Sequence, residues 1–317
     1  MSILTRRELL VSSAAGAAAL ALAPATALSA ATPREPVLRF AHLTDIHVKP
    51  EGEIPDGMAK ALRHAQTQSG KIDFILQGGD AIMDALKVDF DRTKAQFDLW
   101  NRILADECKL PVEHVIGNHD IFGWDKAKSK ATGAEPQYGK KWAMEMFQLE
   151  KPYRSFDRGG WHFVILDSVQ QPAEGKTGTY VAGIDDEQFE WLAGDLAATP
   201  ATTPIIVASH IPILSVTPFL FSTAEGTNKQ WKVLEILMIA DAKRIKDLFA
   251  KHPNVKVCLS GHCHLVDRVD YNGVTYFCNG AVSGNWWAGP FQECKPGYAT
   301  INLYADGGFE REYVEWG

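Results

Sequence analysis

The sequence predicts an α/β fold in a single domain spanning residues 32–317. Three observations carry that reading. Short apolar runs of strand length alternate with stretches of helical spacing. No Pro/Gly/Ser-rich linker, repeat or low-complexity tract divides the chain after residue 32. A chain of 317 residues that is 46% hydrophobic can bury a sizeable core.

The strand-length runs are VLRFAHLTD (Val37 to Asp45), DFILQGGD (Asp73 to Asp80), VEHVIGNHD (Val112 to Asp120), PIIVASH (Pro204 to His210) and VKVCLSGH (Val255 to His262). Between them, DRTKAQFDLWNRILADE repeats apolar residues at Phe97, Trp100, Ile103 and Leu104, and DDEQFEWLAGDLAA does so at Phe189, Leu192 and Leu196. Strands alternating with helices predict a largely parallel sheet with helices outside it. Two later stretches read as hairpins, one turning at Asn272-Gly273 and one around Asp306 to Gly308, and these suit a second sheet. The segments Asp120 to Lys141 and His210 to Gln230 are long and irregular and start at polar strand ends, so they are expected to be substrate-facing loops or a lid.

Residues 1–31 read apart from the fold. Arg6 and Arg7 precede an Ala-rich apolar run from Val11 to Ala23 and a small-residue end, the layout of an export signal. The pair followed by Glu8, Leu9 and Leu10 resembles a twin-arginine signal, with Leu9 where that pattern most often has Phe. An ordinary secretory signal with two adjacent arginines is the alternative. The run is shorter than the ~20 residues of a membrane span, so no permanent anchor is expected. The resemblance implies the twin-arginine export machinery as a partner and a periplasmic or secreted location.

A net charge of -7 gives no global attraction to nucleic acid or anionic membrane, so phosphate recognition has to be local. The five cysteines, Cys108, Cys258, Cys263, Cys278 and Cys294, are odd in number and include no C-x-x-C pair, which argues against a thiolate zinc site. Their pairing stays open.

Every strand-length run ends in a group that can bind a metal: Asp45 and His47, then Asp80, Asn118 with His119, His210, and finally His262 with His264. Taken singly, each has a bland reading as a turn, a cap or a satisfied core histidine. Together they predict one crevice, because the carboxyl ends of strands in an open α/β sheet share an edge. Glycine precedes three of the clusters, where backbone must approach something closely.

The series D-x-H, G-D, G-N-H-D, H and G-H-x-H, from Asp45 to His264, resembles the calcineurin-like metallophosphoesterases. The segments YRSFDRGGWHFVILDS and GIDDEQFEWLAGDLA look like the second-sheet strand and following helix of cyclic-nucleotide phosphodiesterase-like members. The resemblance implies a four-layer αββα sandwich of mixed sheets, with the site at the carboxyl ends of the strands. It implies that Asp45, His47 and His264 bind one metal, that Asn118, His210 and His262 bind the other, and that Asp80 bridges. Two such ions, held ~3.5–4 Å apart with a bridging hydroxide, would drive in-line attack on a phosphoester. A ligand set of oxygens and imidazoles without thiolate suits Fe, Mn or Zn.

His119 has no metal role in that pattern and is the expected proton donor to the leaving alkoxide, a contribution typically worth ~10² to 10⁴ in rate. Asp84, four positions after Asp80, is one candidate to orient it, although relatives often carry that group one position earlier; Asp120 is the other. Purple acid phosphatases have a tyrosine where this chain has Met83, so that branch is disfavoured.

The expected substrate is a small phosphoester, with a diester favoured because Lys49 is the only cation within a few residues of Asp45, Asp80, His210 or His262. Lys126, Lys128 and Lys130, on the long loop, could supply charge for a monoester instead. A phosphomonoesterase and a non-catalytic metal-binding module are the alternatives. The aromatics Trp286, Trp287, Phe291, Phe219 and Phe221 are either an apolar wall for a substrate or core packing. If Ser260 to His264 continues a strand, residues two apart face the same way, placing His262 and His264 at the metals and Cys263 in the packing behind.

Overall fold

The computed structural model describes residues 34–68, 70–174, 178–221 and 233–317. The export signal expected over residues 1–31 lies outside these, as does the tip of the loop that starts at His210. Along the chain run β1 (Leu38–Leu43), α1 (Ile54–Gln66), β2 (Phe74–Gln77), α2 (Phe90–Glu107), β3 (Val112–His114), α3 (Lys126–Ser129) and α4 (Lys141–Met146). Then come β4 (Arg154–Arg158), β5 (Trp161–Leu166), the short pair β6 (Val169–Gln170) and β7 (Val181–Ala182), and α5 (Asp186–Ala198). The last elements are β8 (Ile205–Ser209), α6 (Ala242–Phe249), β9 (Val255–Ser260), β10 (Val266–Tyr271), β11 (Val274–Asn279), β12 (Gly297–Leu303) and β13 (Phe309–Glu315).

Local chemistry starts the helices where the sequence predicts them. Asp89 caps α2 by accepting from the Arg92 N–H, and Asp185 caps α5 by accepting from the Gln188 N–H. The apolar repeat then gives each helix a buried stripe, Phe97, Trp100 and Ile103 on α2 and Leu192 and Leu196 on α5.

The strands form two mixed sheets, in the orders β13-β12-β1-β2-β3 and β10-β11-β9-β8-β5-β4. Within the first, β1, β2 and β3 are parallel; within the second, β5, β8, β9 and β11 are parallel. Alternation along each strand builds four layers. Phe40 and Leu38 of β1, Phe163 and Ile165 of β5, Ile206 of β8, Leu259 of β9 and Ile301 of β12 form the core between the sheets. Ala41 and Leu43 turn the other way, onto α1 and α2, and Val164, Val207 and Val255 pack on α5 and α6. The sandwich is therefore αββα.

One detail differs from the sequence reading. Both hairpins form, the first with Asn272 and Gly273 at φ 53° and 83°, as a tight two-residue turn requires. Only β10-β11 joins the second sheet. The strand β12 pairs antiparallel with β1, Leu38 opposite Leu303, because its Ala299, Ile301 and Leu303 complete the inter-sheet core on that side. The five strand ends that carry the candidate ligands are likewise split, β1 to β3 in one sheet and β8 and β9 in the other. Their carboxyl ends meet along a rim shared by both.

Candidate metal centre

At that rim the backbone departs from regular structure. Asp45, His47, Asp80, His262 and His264 all have φ between 50° and 68°, in the left-handed region that side chains with a Cβ seldom adopt. Such strain clusters where a site over-determines it. Cross-links hold it: the His47 N–H donates to the Asp80 carbonyl at 3.0 Å, and the Gly261 N–H to the His210 carbonyl at 3.0 Å. A Cβ on Gly117 would meet the Asp80 carboxylate at 2.1 Å, and one on Gly261 would meet Asp45 Oδ2 at 2.2 Å. The glycines before these clusters are thus required by contact with the ligands themselves.

The left-handed turn corrects the expectation for the G-H-C-H stretch. The strand β9 ends at Ser260, and His262 and His264 converge because both adopt positive φ, with no strand alternation involved. Cys263 is buried, its Sγ 3.7 Å from the Leu237 carbonyl oxygen. All five cysteines are unpaired thiols.

Three imidazoles are oriented by backbone carbonyls. His264 Nδ1 donates to Gly284 at 2.5 Å, His210 Nδ1 to Gly78 at 2.9 Å, and His262 Nε2 to Ile236 at 2.8 Å. These partners fix the tautomers and leave His264 Nε2, His210 Nε2 and His262 Nδ1 as lone pairs turned inward. His210 Nε2 then lies 3.3 Å from His262 Nδ1 and 3.1 Å from Asp80 Oδ2. His264 Nε2 lies 3.1 Å from His47 Nε2 and 3.3 Å from Asp45 Oδ1.

Converging lone pairs and carboxylates in a buried place demand a cation. Burial opposes charge on His210, but Asp80 and Asp45 override it and push its pKa up to about 10. Burial would likewise raise Asp45, yet His264 and His210 hold it well below the usual carboxylate range. His262 is lowered to about 4, by burial and by His210. The buried Oδ1 of Asn118 has no hydrogen-bond partner among the described residues, so an acceptor stands ready for a positive group. The residues present fit a pair of metal ions.

The side chains fall into overlapping groups that could each hold an ion. Asp45, His47 and His264 group together, and Asp80, His210 and His262 form a second group. Oδ2 of Asp80 stands between them, 3.1 Å from His210 Nε2 and 3.7 Å from His47 Nε2, while its Oδ1 accepts from the His119 N–H at 2.8 Å. Asp45 Oδ2 accepts from Thr44 Oγ1, both carboxylate oxygens accept from the His262 N–H, and Oδ1 also faces His264 Nε2 at 3.3 Å.

His119 flanks the centre, its ring 4.7 Å from that of His47, and it groups with His47 and Asp80. Neither candidate carboxylate orients it. Asp84 instead accepts from the Lys87 N–H at 3.0 Å, a local turn bond that its short side chain makes within its own loop. Asp120 is buried and accepts from the backbone N–H groups of Asp80, Ala81, Ile82 and Gly117. It clamps two ligand loops together. The contact at His119 Nδ1 is the Met83 carbonyl, at 2.5 Å. A backbone carbonyl has no residue signature, so neither this partner nor those of the other histidines could be read from residue types.

Three lysines of the Asp120 to Lys141 loop, Lys126, Lys128 and Lys140, have partners of their own. Lys126 donates to the Thr132 carbonyl and Lys128 lies 3.7 Å from Asp125. Lys140 pairs with buried Asp167. On the other flank, the Trp286 ring lies 4.3 Å from that of His264 and 5.9 Å from that of His47. A cavity of about 770 Å³ opens beside it, lined by Trp286, Trp287 and Trp316. A larger one, about 1160 Å³, lies at the edges of β3 and β4 and touches none of these ligands.

The fold and centre define a class, and sequence comparison agrees. The chain belongs to the calcineurin-like phosphoesterase family, whose profile matches residues 38–266. It is 22% identical over 285 residues to a probable cyclic nucleotide phosphodiesterase from Synechococcus sp., covering 88% of this chain and 92% of that protein. It is 21% identical over 293 residues to the 3′,5′-cyclic adenosine monophosphate phosphodiesterase of Haemophilus influenzae, covering 88% and 90%. Among solved structures, a dimetal phosphatase from Danio rerio superposes with a TM-score of 0.57 at 18% identity, covering 89% of this chain and all of that one. The GAP50 protein of Plasmodium does so at 0.52 and 17%, covering 88% and 84%.

Proposed function

We propose that the chain is a two-metal phosphodiesterase. The observation that carries this is the position of Asp80 Oδ2 between His210 Nε2 and His47 Nε2, with His119 alongside. Asp45, His47 and His264 would hold one ion, Asn118, His210 and His262 the other, and Asp80 would be shared. When bound, the ions supply a water of lowered pKa and polarise the phosphoryl oxygen.

The chain's own residues do the rest. The carbonyls of Gly78, Gly284 and Ile236 keep three imidazoles aimed inward, so no ordering is needed when substrate arrives. His119 as imidazolium donates Nδ1–H to Met83 and can deliver its Nε2 proton to the leaving oxygen. The ring left behind keeps the Nδ1–H tautomer, which the Met83 carbonyl stabilises.

Engagement of Lys126 and Lys128 within their own loop supports a diester, since a dianionic monoester calls for more positive charge than a diester does. The names of the curated relatives point the same way. Fe, Mn or Zn suits the nitrogen and oxygen donors. Residues 1–31 we read as a twin-arginine-type export leader, which puts the enzyme in the periplasm or outside the cell.

The test is metal analysis of the purified protein, with paired aryl phosphate mono- and diesters offered to wild type and His119→Ala. Two metals per chain and faster diester hydrolysis are expected. One metal or none, with no hydrolysis under any metal supplement, would sink the hydrolase reading. Faster monoester turnover would replace the diesterase by a monoesterase.

A further inference from the structure

The loop Gly284 to Phe291 does two things at once. Its Gly284 carbonyl orients the ligand His264, and its two tryptophans sit on consecutive left-handed residues, Trp286 at φ 46° and Trp287 at φ 73°. That conformation is costly for a bulky side chain and persists only where neighbours impose it. Trp287 shows how it is imposed: its indole N–H donates to the carbonyls of Ile46 at 2.9 Å and His47 at 3.1 Å, and its ring packs so tightly on α1 that a Cβ on Gly57 would meet it at 2.4 Å. Trp287 is the anchor.

Trp286 is what the anchor presents. One side of its ring tilts over His264, at 31° and 4.3 Å, and Phe291 meets it edge-on at 5.8 Å. It is nevertheless 38% exposed, and its indole N–H has no acceptor among the described residues. An indole left partly bare beside a buried polar centre is a binding element more than a packing one, because burying it would be favourable.

The adjoining cleft sets the chemistry. Its floor is Trp286, Trp287 and Trp316, and at about 770 Å³ it can take an organic group larger than a phosphate. Its charged lining is Lys49 and Lys60 against Glu51, Glu53 and Asp56, so it offers no net attraction to a second anionic group. A flat, uncharged ring satisfies both features.

We propose that Trp286, which lies beside His264 and His47 and also lines the cleft shared with Trp287 and Trp316, is a specificity-determining residue that stacks a planar, uncharged organic group of the phosphoester. This rests on the phosphodiesterase reading for its reaction, but the binding it asserts can be measured separately. Both His119 and Trp286 flank His47, so an ester held between the metals reaches the proton donor and the ring together.

The experiment titrates metal-loaded protein by calorimetry with adenosine 5′-monophosphate and with ribose 5-phosphate, which carry the same phosphoryl group and differ in the flat ring. Wild type is expected to prefer the ring-bearing ligand by roughly 10- to 100-fold, the range of base-on-aromatic stacking. Trp286→Leu should lose that preference while holding ribose 5-phosphate as before, and Trp286→Phe should keep most of it. Equal affinity of wild type for the two ligands would overturn the proposal. So would parallel loss of both ligands in Trp286→Leu with Trp286→Phe unaffected, which would mark Trp286 as a support for His264 alone. Absence of diester hydrolysis together with an intact ring preference would instead overturn the reaction and leave the stacking site standing.

Discussion

Nδ1 of His119 lies 2.5 Å from the Met83 carbonyl oxygen, and that one bond leaves Nε2 as the nitrogen for the proposed proton transfer. His119→Ala should lower kcat ~10²- to 10⁴-fold for alkyl esters, and less for a nitrophenolate that needs no proton. Metal content should not change. Asp84→Asn should leave kcat near wild type, because its carboxylate serves the Lys87 N–H. Steady-state rates with the two leaving groups, beside metal analysis, check both.

Asp120 gathers four backbone N–H groups from the Asp80 and Gly117 loops. Asp120→Asn replaces one acceptor oxygen by an NH₂ that opposes buried donors, at a cost of about 1–3 kcal/mol for each group left unpaired. Denaturant unfolding should show a fall of about 3 kcal/mol, together with weaker metal retention. An unchanged midpoint would contradict the clamp.

Gly117 has φ -97°, open to any residue, so an added methyl costs nothing in backbone conformation. It would strike the Asp80 carboxylate at 2.1 Å. It would also meet the Asp80 backbone nitrogen at 2.2 Å, so Gly117→Ala should displace the Asp80 loop, lower stability and bind fewer than two metals. Circular dichroism and metal stoichiometry, read together, separate this from global unfolding.

Chelation should abolish turnover and lower stability, since the centre crowds carboxylates and imidazole lone pairs together. Restoring a metal at a hundred times its dissociation constant should return about 2.7 kcal/mol. Thermal melts with and without chelator provide the measurement. Identical melts would mean that the cluster holds no ion.

His162 binds Asp195 at 2.9 Å and Asp157 at 2.7 Å, and the hydrogen bond from Asp195 leads the causes that raise its pKa. A raised folded value means stability fully present below the unfolded value of ~6.5 and lost as pH climbs through the folded one. Relative to His162→Gln, wild type should be more stable by up to about 1 kcal/mol at pH 5.5, with the difference gone at alkaline pH. Urea unfolding across that range tests it.

The seven candidate ligands and His119 could be picked out because they lie at or just after the ends of strand-length apolar runs, and strand ends are where side chains can leave the sheet for a common crevice. The capped helices were legible for a similar reason: Asp89 and Asp185 precede apolar repeats of the right period. Legibility stopped where partners are backbone atoms. The orientation of His119 by Met83, of His264 by Gly284 and of His262 by Ile236 leaves no trace in residue identity.

By itself, then, the sequence determined which candidate donors stand at the strand ends, the alternation of strand and helix, and the glycines that must stand beside those donors. All of these are local facts of residue type and spacing. Tertiary structure decided which sheet each strand joined, that Asp120 clamps loops while Asp84 bonds a turn, and that Trp286 is presented while Trp287 is pinned. Those outcomes depend on contacts between segments far apart in the chain, and no local pattern encodes which carbonyl or ring will be near when the layers close.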